Sequence, residues 1–280
     1  MSARPPSPYE HATTRLPHRQ KHLANGTGPS ETSVPRSSKA ERPPPRTRDP
    51  IVFGIDFGTT YTGVAWTTSP EPKAADIHLV KNWKSIQYVN AERGKSPTAI
   101  SYPGPGGLAP AWGYEIPLDV KPIQWFKLLL LDDADLQDHL RDARQLQEAR
   151  QALTSAGRSA VEVVADYLRC LWAHVLRSVE NGTSANFVKN SPFRIVITVP
   201  AIWKSYVRER MRQAASLAGL LDPRGPNAEP SDLDFISEPE AAAIATFADM
   251  RGGQGLDIKV RSLTGRYSRS NDSAVAYPGL

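Results

Sequence analysis

The chain has a single cysteine, Cys170, so no internal disulfide can form, as suits a reducing compartment. Cys170 falls inside an amphipathic helical pattern, where packing is its expected role. Six histidines (His11, His18, His22, His78, His139, His174) are scattered, and none stands near a second ligand at metal-site spacing. No apolar run approaches the length of a membrane span, and the polar start lacks the apolar core of a signal peptide. Its acids and the run Pro43-Pro44-Pro45 argue against a transit-peptide helix. Cytosol or nucleus is the expected compartment. No Gly-x-x-x-x-Gly-Lys-[Ser/Thr] segment occurs, so a P-loop is excluded as a phosphate grip.

The formal charge of +5 has a local origin. Residues 1–50 hold nine Lys/Arg against four acids, and the rest of the chain is balanced. Steering toward nucleic acid would come from this arm alone, so neither a specific nucleic-acid partner nor a membrane is expected. The arm, 1–49, is rich in Pro, Ser, Thr and Arg and poor in large aliphatics, and reads as disordered. Within it, Arg42-Pro43-Pro44-Pro45-Arg46 suits a polyproline II ligand, with a solvated tail as the alternative.

Order is expected from Ile51. Ile51–Asp56 reads as a buried strand, Gly58-Thr59-Thr60 as a turn, and Tyr61–Thr68 as a second strand. Ile77–Val80 and Thr98–Tyr102 are further strands, and the Pro- and Gly-rich residues 103–113 a loop. Helices are predicted over Ile123–Leu131, Leu136–Leu153 and Ser159–Glu180. In the last, Val161, Val164, Leu168, Leu171, Val175 and Val179 share one face and Asn181-Gly182 supplies a stop. Phe193–Val199 is a continuous apolar strand, Ser205–Ala218 a helix, and Asp234–Ser237 a short strand. Pro239 opens a helix over Glu240–Met250. Alternating strands and helices predict an α/β fold with a mixed sheet.

The segment Gly54-Ile55-Asp56-Phe57-Gly58-Thr59-Thr60-Tyr61-Thr62-Gly63 carries the chemistry. Gly58 permits close backbone approach, the turn amides and the hydroxyls of Thr59 and Thr60 can face an anion, and Asp56 can hold a divalent cation. An ordinary Gly/Thr hairpin is the alternative. The stretch resembles the first phosphate loop of the 70-kDa heat-shock chaperones. Ile195-Val196-Ile197-Thr198-Val199-Pro200-Ala201 resembles that family's first connecting segment, and Phe235-Ile236-Ser237-Glu238-Pro239-Glu240-Ala241-Ala242-Ala243 its crossing between lobes. The match spans about residues 51–250. Trp66, Trp83 and the Pro-rich loop near residue 105 suggest a divergent branch, such as the chaperone-like ATPases of filamentous fungi.

The resemblance implies the actin-like, ribonuclease H-like ATPase fold, here mainly lobe I over 50–250 with flanking helices and with lobe II largely missing. It implies ATP and Mg²⁺ as ligands. Asp56 would organise the metal's water shell and Gly58, Thr59, Thr60 and Tyr61 would meet the phosphates. Lys127 would hold attacking water and γ-phosphate, and Glu238 would reach the metal cluster. Pro200 and Arg208 would relay nucleotide state. A surface lysine, a helix-terminal charge, a strand stop and an exposed helix charge are the respective alternatives for Lys127, Glu238, Pro200 and Arg208. The reading requires Asp56 and Glu238 to face common ground.

The family's second phosphate loop, Asp-x-Gly-Gly-Gly-Thr, does not occur in the sequence, and residues 251–280 read as an irregular tail unlike the family. A reading-frame change or retained intron near Val260 is one expectation, checked by sequencing the transcript. Losing about three charge-assisted donors at roughly 1.5 kcal/mol each would cost about a thousandfold in affinity. Weak or absent ATP turnover is therefore expected. The rival readings are a non-catalytic interaction module, using the Pro-rich arm or an exposed lobe face for a protein partner, and a sugar kinase of the same fold.

Overall fold

The structure, a computed structural model, describes residues 49–70, 72–86, 93–103, 109–224 and 230–253. The expected disordered arm and most of the expected irregular tail therefore lie outside the described residues, as does residue 105.

Six strands form one mixed sheet: β1 (Ile51–Phe57), β2 (Tyr61–Thr67), β3 (His78–Leu79), β4 (Lys95–Pro97), β7 (Phe193–Val199) and β8 (Asp232–Ser237). The order runs β3-β2-β1-β7-β8, with β4 pairing on β2 beside β3. β1 is antiparallel to β2 and parallel to β7, and β7 is parallel to β8. A small hairpin pairs β5 (Ile100–Ser101) with β6 (Ala111–Trp112).

Period-two alternation decides which side of the sheet is covered. Ile51, Phe53, Ile55 and Phe57 of β1 and Phe193, Ile195, Ile197 and Val199 of β7 are all buried. They meet α3 (Ala160–Gly182), whose Val164, Tyr167, Leu168, Leu171, Trp172, Val175 and Val179 are buried in turn. Phe53 stands edge-on to Trp172 at 4.8 Å and to Phe193 at 4.9 Å, the geometry that aromatic quadrupoles favour. α5 (Ser205–Leu217) adds Val207, Met211 and Ala214. The opposite residues of β1, Val52, Gly54 and Asp56, stay partly or fully open.

Ser159 starts α3 with a reciprocal capping box: its hydroxyl accepts from the Glu162 amide, and the Glu162 carboxylate accepts from the Ser159 amide. The helix runs through Asn181 to Gly182, beyond the expected stop, and Gly182 lies against the Trp66 ring, where an added Cβ would come within 3.3 Å.

Four expectations are corrected. Residues 123–131 do not form an α-helix: Ile123 bridges to Ile100, Trp125 adopts a left-handed backbone (φ 63°), and only a 3₁₀ turn, Phe126–Leu130, follows. Its apolar side chains serve the core rather than one helical stripe. The stretch 136–153 is two helices, α1 (Asp138–Arg141) and α2 (Arg144–Ala156), with extended Ala143 between them. Arg141 helps fix this break by donating to the carbonyls of Asp133 and Leu136. Residues 103–113 include β6 as well as loop. A short helix α4 (Ala185–Asn190) and the strand β4 were not expected. α6 runs Glu238–Gly253, opening at Glu238 rather than Pro239.

Cys170 is partly buried, and burial pushes its thiol up to about 11, which leaves it protonated and unreactive. Among the described residues no helix is long and apolar enough to cross a membrane.

His174 stacks on Trp83 at 4.9 Å, meets Trp112 edge-on, and has Nε2 3.0 Å from the Lys81 carbonyl oxygen. Burial holds its pKa below the ordinary 6.5; Arg177 acts in the same direction, while the Lys81 carbonyl and Glu115 oppose it. A depressed histidine stabilises the fold above its unfolded pKa and loses that contribution as pH falls through the folded value. Melting temperature should therefore drop between about pH 7 and pH 5, and less steeply in His174→Phe, as thermal unfolding across that range would read.

Candidate functional site

Parallel β1, β7 and β8 bring their carboxyl ends to one edge, where ligands gather in open α/β sheets. Asp56 closes the open face of β1. One carboxylate oxygen accepts from the Thr198 hydroxyl at 3.1 Å, and the other from Lys95 Nζ at 2.6 Å. The next residue, Phe57, points its ring into the core, while its carbonyl oxygen accepts from Lys127 Nζ at 2.6 Å.

Lys127 is not a surface lysine. Its side chain is 2 % exposed, and its ammonium also donates to Glu238 Oε1 at 2.8 Å. The rings of Phe57 and Trp203 lie 5.7 and 5.4 Å away, offering their negative faces. The 3₁₀ turn after left-handed Trp125 aims the lysine inward, which a regular amphipathic helix would not require. Glu238 begins α6 directly after β8, so strand register and helix start together set its position. Lys127 thus ties the end of β1 to the start of α6, and Asp56 and Glu238 stand at the same end of the sheet.

The turn between β1 and β2 is braced from below. Thr98 donates its hydroxyl to the Gly58 carbonyl at 2.9 Å and its amide to the Thr60 carbonyl at 2.8 Å, and its hydroxyl also meets that of Thr62 at 2.8 Å. The Gly58 amide lies 3.1 Å from the carbonyl oxygens of both Asp56 and Tyr61. A Cβ on Gly58 would sit 2.3 Å from the Tyr61 oxygen, so the close approach needing glycine here is that of the turn to itself. Thr59 is partly exposed, Thr60 exposed, and Tyr61 46 % exposed, so the tip faces solvent. No hydrogen bond of the Thr59 or Thr60 amides is found among the described residues.

Pro200 follows β7, and its carbonyl accepts from the Trp203 amide. Arg208 is exposed on α5. No side-chain bond joins it to this edge among the described residues.

The donors present suit Mg²⁺ with a polyphosphate. Among the described residues no three His, Cys, Asp or Glu side chains converge on one point. Mg²⁺ is commonly held in another way, by one or two carboxylates, waters and the phosphates themselves. Asp56 and Glu238 at one end of the sheet, the hydroxyls at the tip and the ammonium groups of Lys95 and Lys127 are groups of that kind. A cleft of about 300 Å³ lies elsewhere, between residues 121–125 and α2, bordered by Lys121, Gln124, Trp125, Glu148 and Gln151. None of the turn residues lines it. The carboxyl edge, by contrast, is an open face.

Sequence reasoning missed Lys95, Thr98 and Thr198 as members of this edge. Thr198 was legible as a position in the connecting strand. Lys95 and Thr98 depend on the pairing of β4 with β2, for which the Pro-containing stretch carries no strand signal.

No family model matches the chain. Human heat shock 70 kDa protein 12B is 30% identical over 252 residues, which is 84% of this chain and 35% of that protein. Mouse heat shock 70 kDa protein 12A is 30% identical over 224 residues, 79% of this chain and 32% of the relative. The chaperone protein HscA homolog of Acinetobacter baumannii is 28% identical over 216 residues, 74% and 29% respectively. The chain spans about a third of the length of the curated relatives it matches. With this sheet order, this carboxyl edge and these relatives, the chain carries an actin-like ATPase lobe like that of the 70-kDa heat-shock proteins, to which it is similar over most of its length.

Proposed function

We propose that this chain is a nucleotide-binding lobe whose carboxyl edge receives ATP with Mg²⁺, in a chaperone-type ATPase lineage. The observation that carries the reading is the Lys127 bridge. A nearly fully buried ammonium, held between the carbonyl at the end of β1 and the carboxylate at the start of α6, is costly to desolvate. A fold that needed only packing would do as well with an apolar residue there.

In this reading the braced turn presents the amides and hydroxyls of Thr59 and Thr60, with Tyr61, to phosphate oxygens, while Gly58 gives the turn its shape. Asp56 would hold the metal, which when bound would neutralise phosphate charge. Lys127 would steady the attacking water and the terminal phosphate, and Glu238, which fixes the orientation of Lys127, would help to hold the metal. Catalysis of phosphoryl transfer is mostly positioning and electrostatics, so a second, facing loop is needed for turnover. That loop is not among these 280 residues, and the chain as it stands should turn over ATP weakly or not at all.

The test is equilibrium titration of the 280-residue chain with ATP and Mg²⁺, alongside phosphate release. Saturable binding lost in Asp56→Asn, with little release, is the expected result. No saturable binding would favour the interaction module, and turnover comparable with intact relatives would refute the single-loop account.

A further inference from the structure

Asp56, Gly63 and Lys95 occupy one row across three neighbouring strands: Asp56 on β1 pairs with Gly63 on β2, and Gly63 pairs with Lys95 on β4. Residues opposite one another in a sheet share a face, and strands two apart are separated by about 10 Å. A side chain in the middle of the row would keep the two ends apart. Glycine stands there. A Cβ added to Gly63 would lie 3.1 Å from Lys95 Cγ and 3.4 Å from Cε, so the lysine stem runs through the space the missing side chain leaves. It ends with Nζ 2.6 Å from Asp56 Oδ2. The pair remains accessible, at 54 % for the lysine side chain and 45 % for the aspartate.

We infer that Lys95 is a second phosphate-contacting lysine, parked on Asp56 in the free chain and released to the polyphosphate when it binds. The inference rests on the nucleotide reading above. Lys127 is buried and fixed by two partners, whereas Lys95 is half exposed and held by one, an arrangement that exchanges readily because exposed pairs gain little. A cation held at Asp56 would compete with the Lys95 ammonium for that carboxylate. The incoming phosphates then supply the acceptors it loses. Lys95 reaches Asp56 over the open face of the sheet, and Lys127 approaches β1 from the buried side, so the two cations flank the strand end that leads into the turn.

The experiment is calorimetric titration of the 280-residue chain with inorganic tripolyphosphate in chelator, and with ATP and Mg²⁺, together with the unfolding midpoint of every variant. Lys95→Met should weaken tripolyphosphate binding by about tenfold or more, the scale of one charge-assisted contact. Lys95→Arg should keep most of the affinity. Gly63→Ala, which crowds the stem while leaving the lysine, should weaken binding in the same direction. Lys84→Met, one charge removed at the exposed pair with Glu115, should leave binding unchanged. If Lys95→Met binds like wild type, or if Lys84→Met loses as much, Lys95 is no phosphate contact, and the nucleotide reading stands. If wild type binds neither ligand, both readings fall.

Discussion

Glu238→Ala is expected to destabilise the lobe by about 3 kcal/mol, well beyond Lys127→Met, although both remove the same ion pair. The asymmetry follows from burial. Glu238 is 42 % exposed, so when Lys127 becomes methionine the carboxylate turns to water at little cost. The main loss is then one unpaired carbonyl at Phe57, about 1 kcal/mol, against an apolar side chain that fits between two aromatic rings. Removing Glu238 instead strands an ammonium that is 2 % exposed, with one carbonyl and two ring faces left to hold it. The double variant should resemble Lys127→Met alone, so the single effects should fail to add. Urea unfolding of the three variants measures this directly. Equal costs for the two single changes would mean that the lysine is far wetter than its position indicates. On nucleotide binding the order should reverse: Lys127→Met, nearly neutral for stability, should lose most of the affinity.

Gly58→Ala is expected to cost on the order of 2–3 kcal/mol, large for one added methyl group. The new Cβ would meet the Tyr61 carbonyl oxygen at 2.3 Å, and a backbone atom in a paired strand cannot swing away as a flexible side chain can. Relief requires opening the turn, which breaks the approach of the Gly58 amide to Tyr61 and pulls the Gly58 carbonyl from the Thr98 hydroxyl. Gly58 has no left-handed backbone, so the penalty is steric rather than conformational. Thr98→Val provides the comparison. It removes the brace without a clash, leaves the Gly58 carbonyl unpaired, and should cost about 1–2 kcal/mol. Thermal unfolding should rank Gly58→Ala below Thr98→Val. A Gly58→Ala chain as stable as wild type would show that the turn is looser than a braced hairpin.

The two changes probe different ends of one device. The turn is rigid because Thr98, on the segment following β4, grips it from beneath, and the strand end is anchored because Lys127 reaches it from the 3₁₀ turn. A phosphate loop benefits from both, since amides and hydroxyls held in place before binding lose less freedom when the ligand arrives.

Local pattern by itself determined much of this molecule. The strands β1, β2 and β7 and the helices α3 and α5 were legible because each has a hydrophobic period strong enough to declare its type. The loop residues from Asp56 to Tyr61 and the Glu238 segment were legible through their resemblance to a known family. Three things were decided only by the tertiary structure. The apolar neighbours of Lys127 predict a helix, yet it is buried in a 3₁₀ turn because Phe57, Trp203 and Glu238 converge on it from distant parts of the chain. The stretch 136–153 is interrupted where Arg141 finds carbonyl acceptors outside its own helix. Lys95 reaches Asp56 from two strands away, past Gly63 on the strand between them, a relation between residues 39 positions apart. Periodicity reports how one segment meets its surroundings. Strand register, which is set when segments remote in sequence pair, decides which side chains share a row, and no local pattern encodes it.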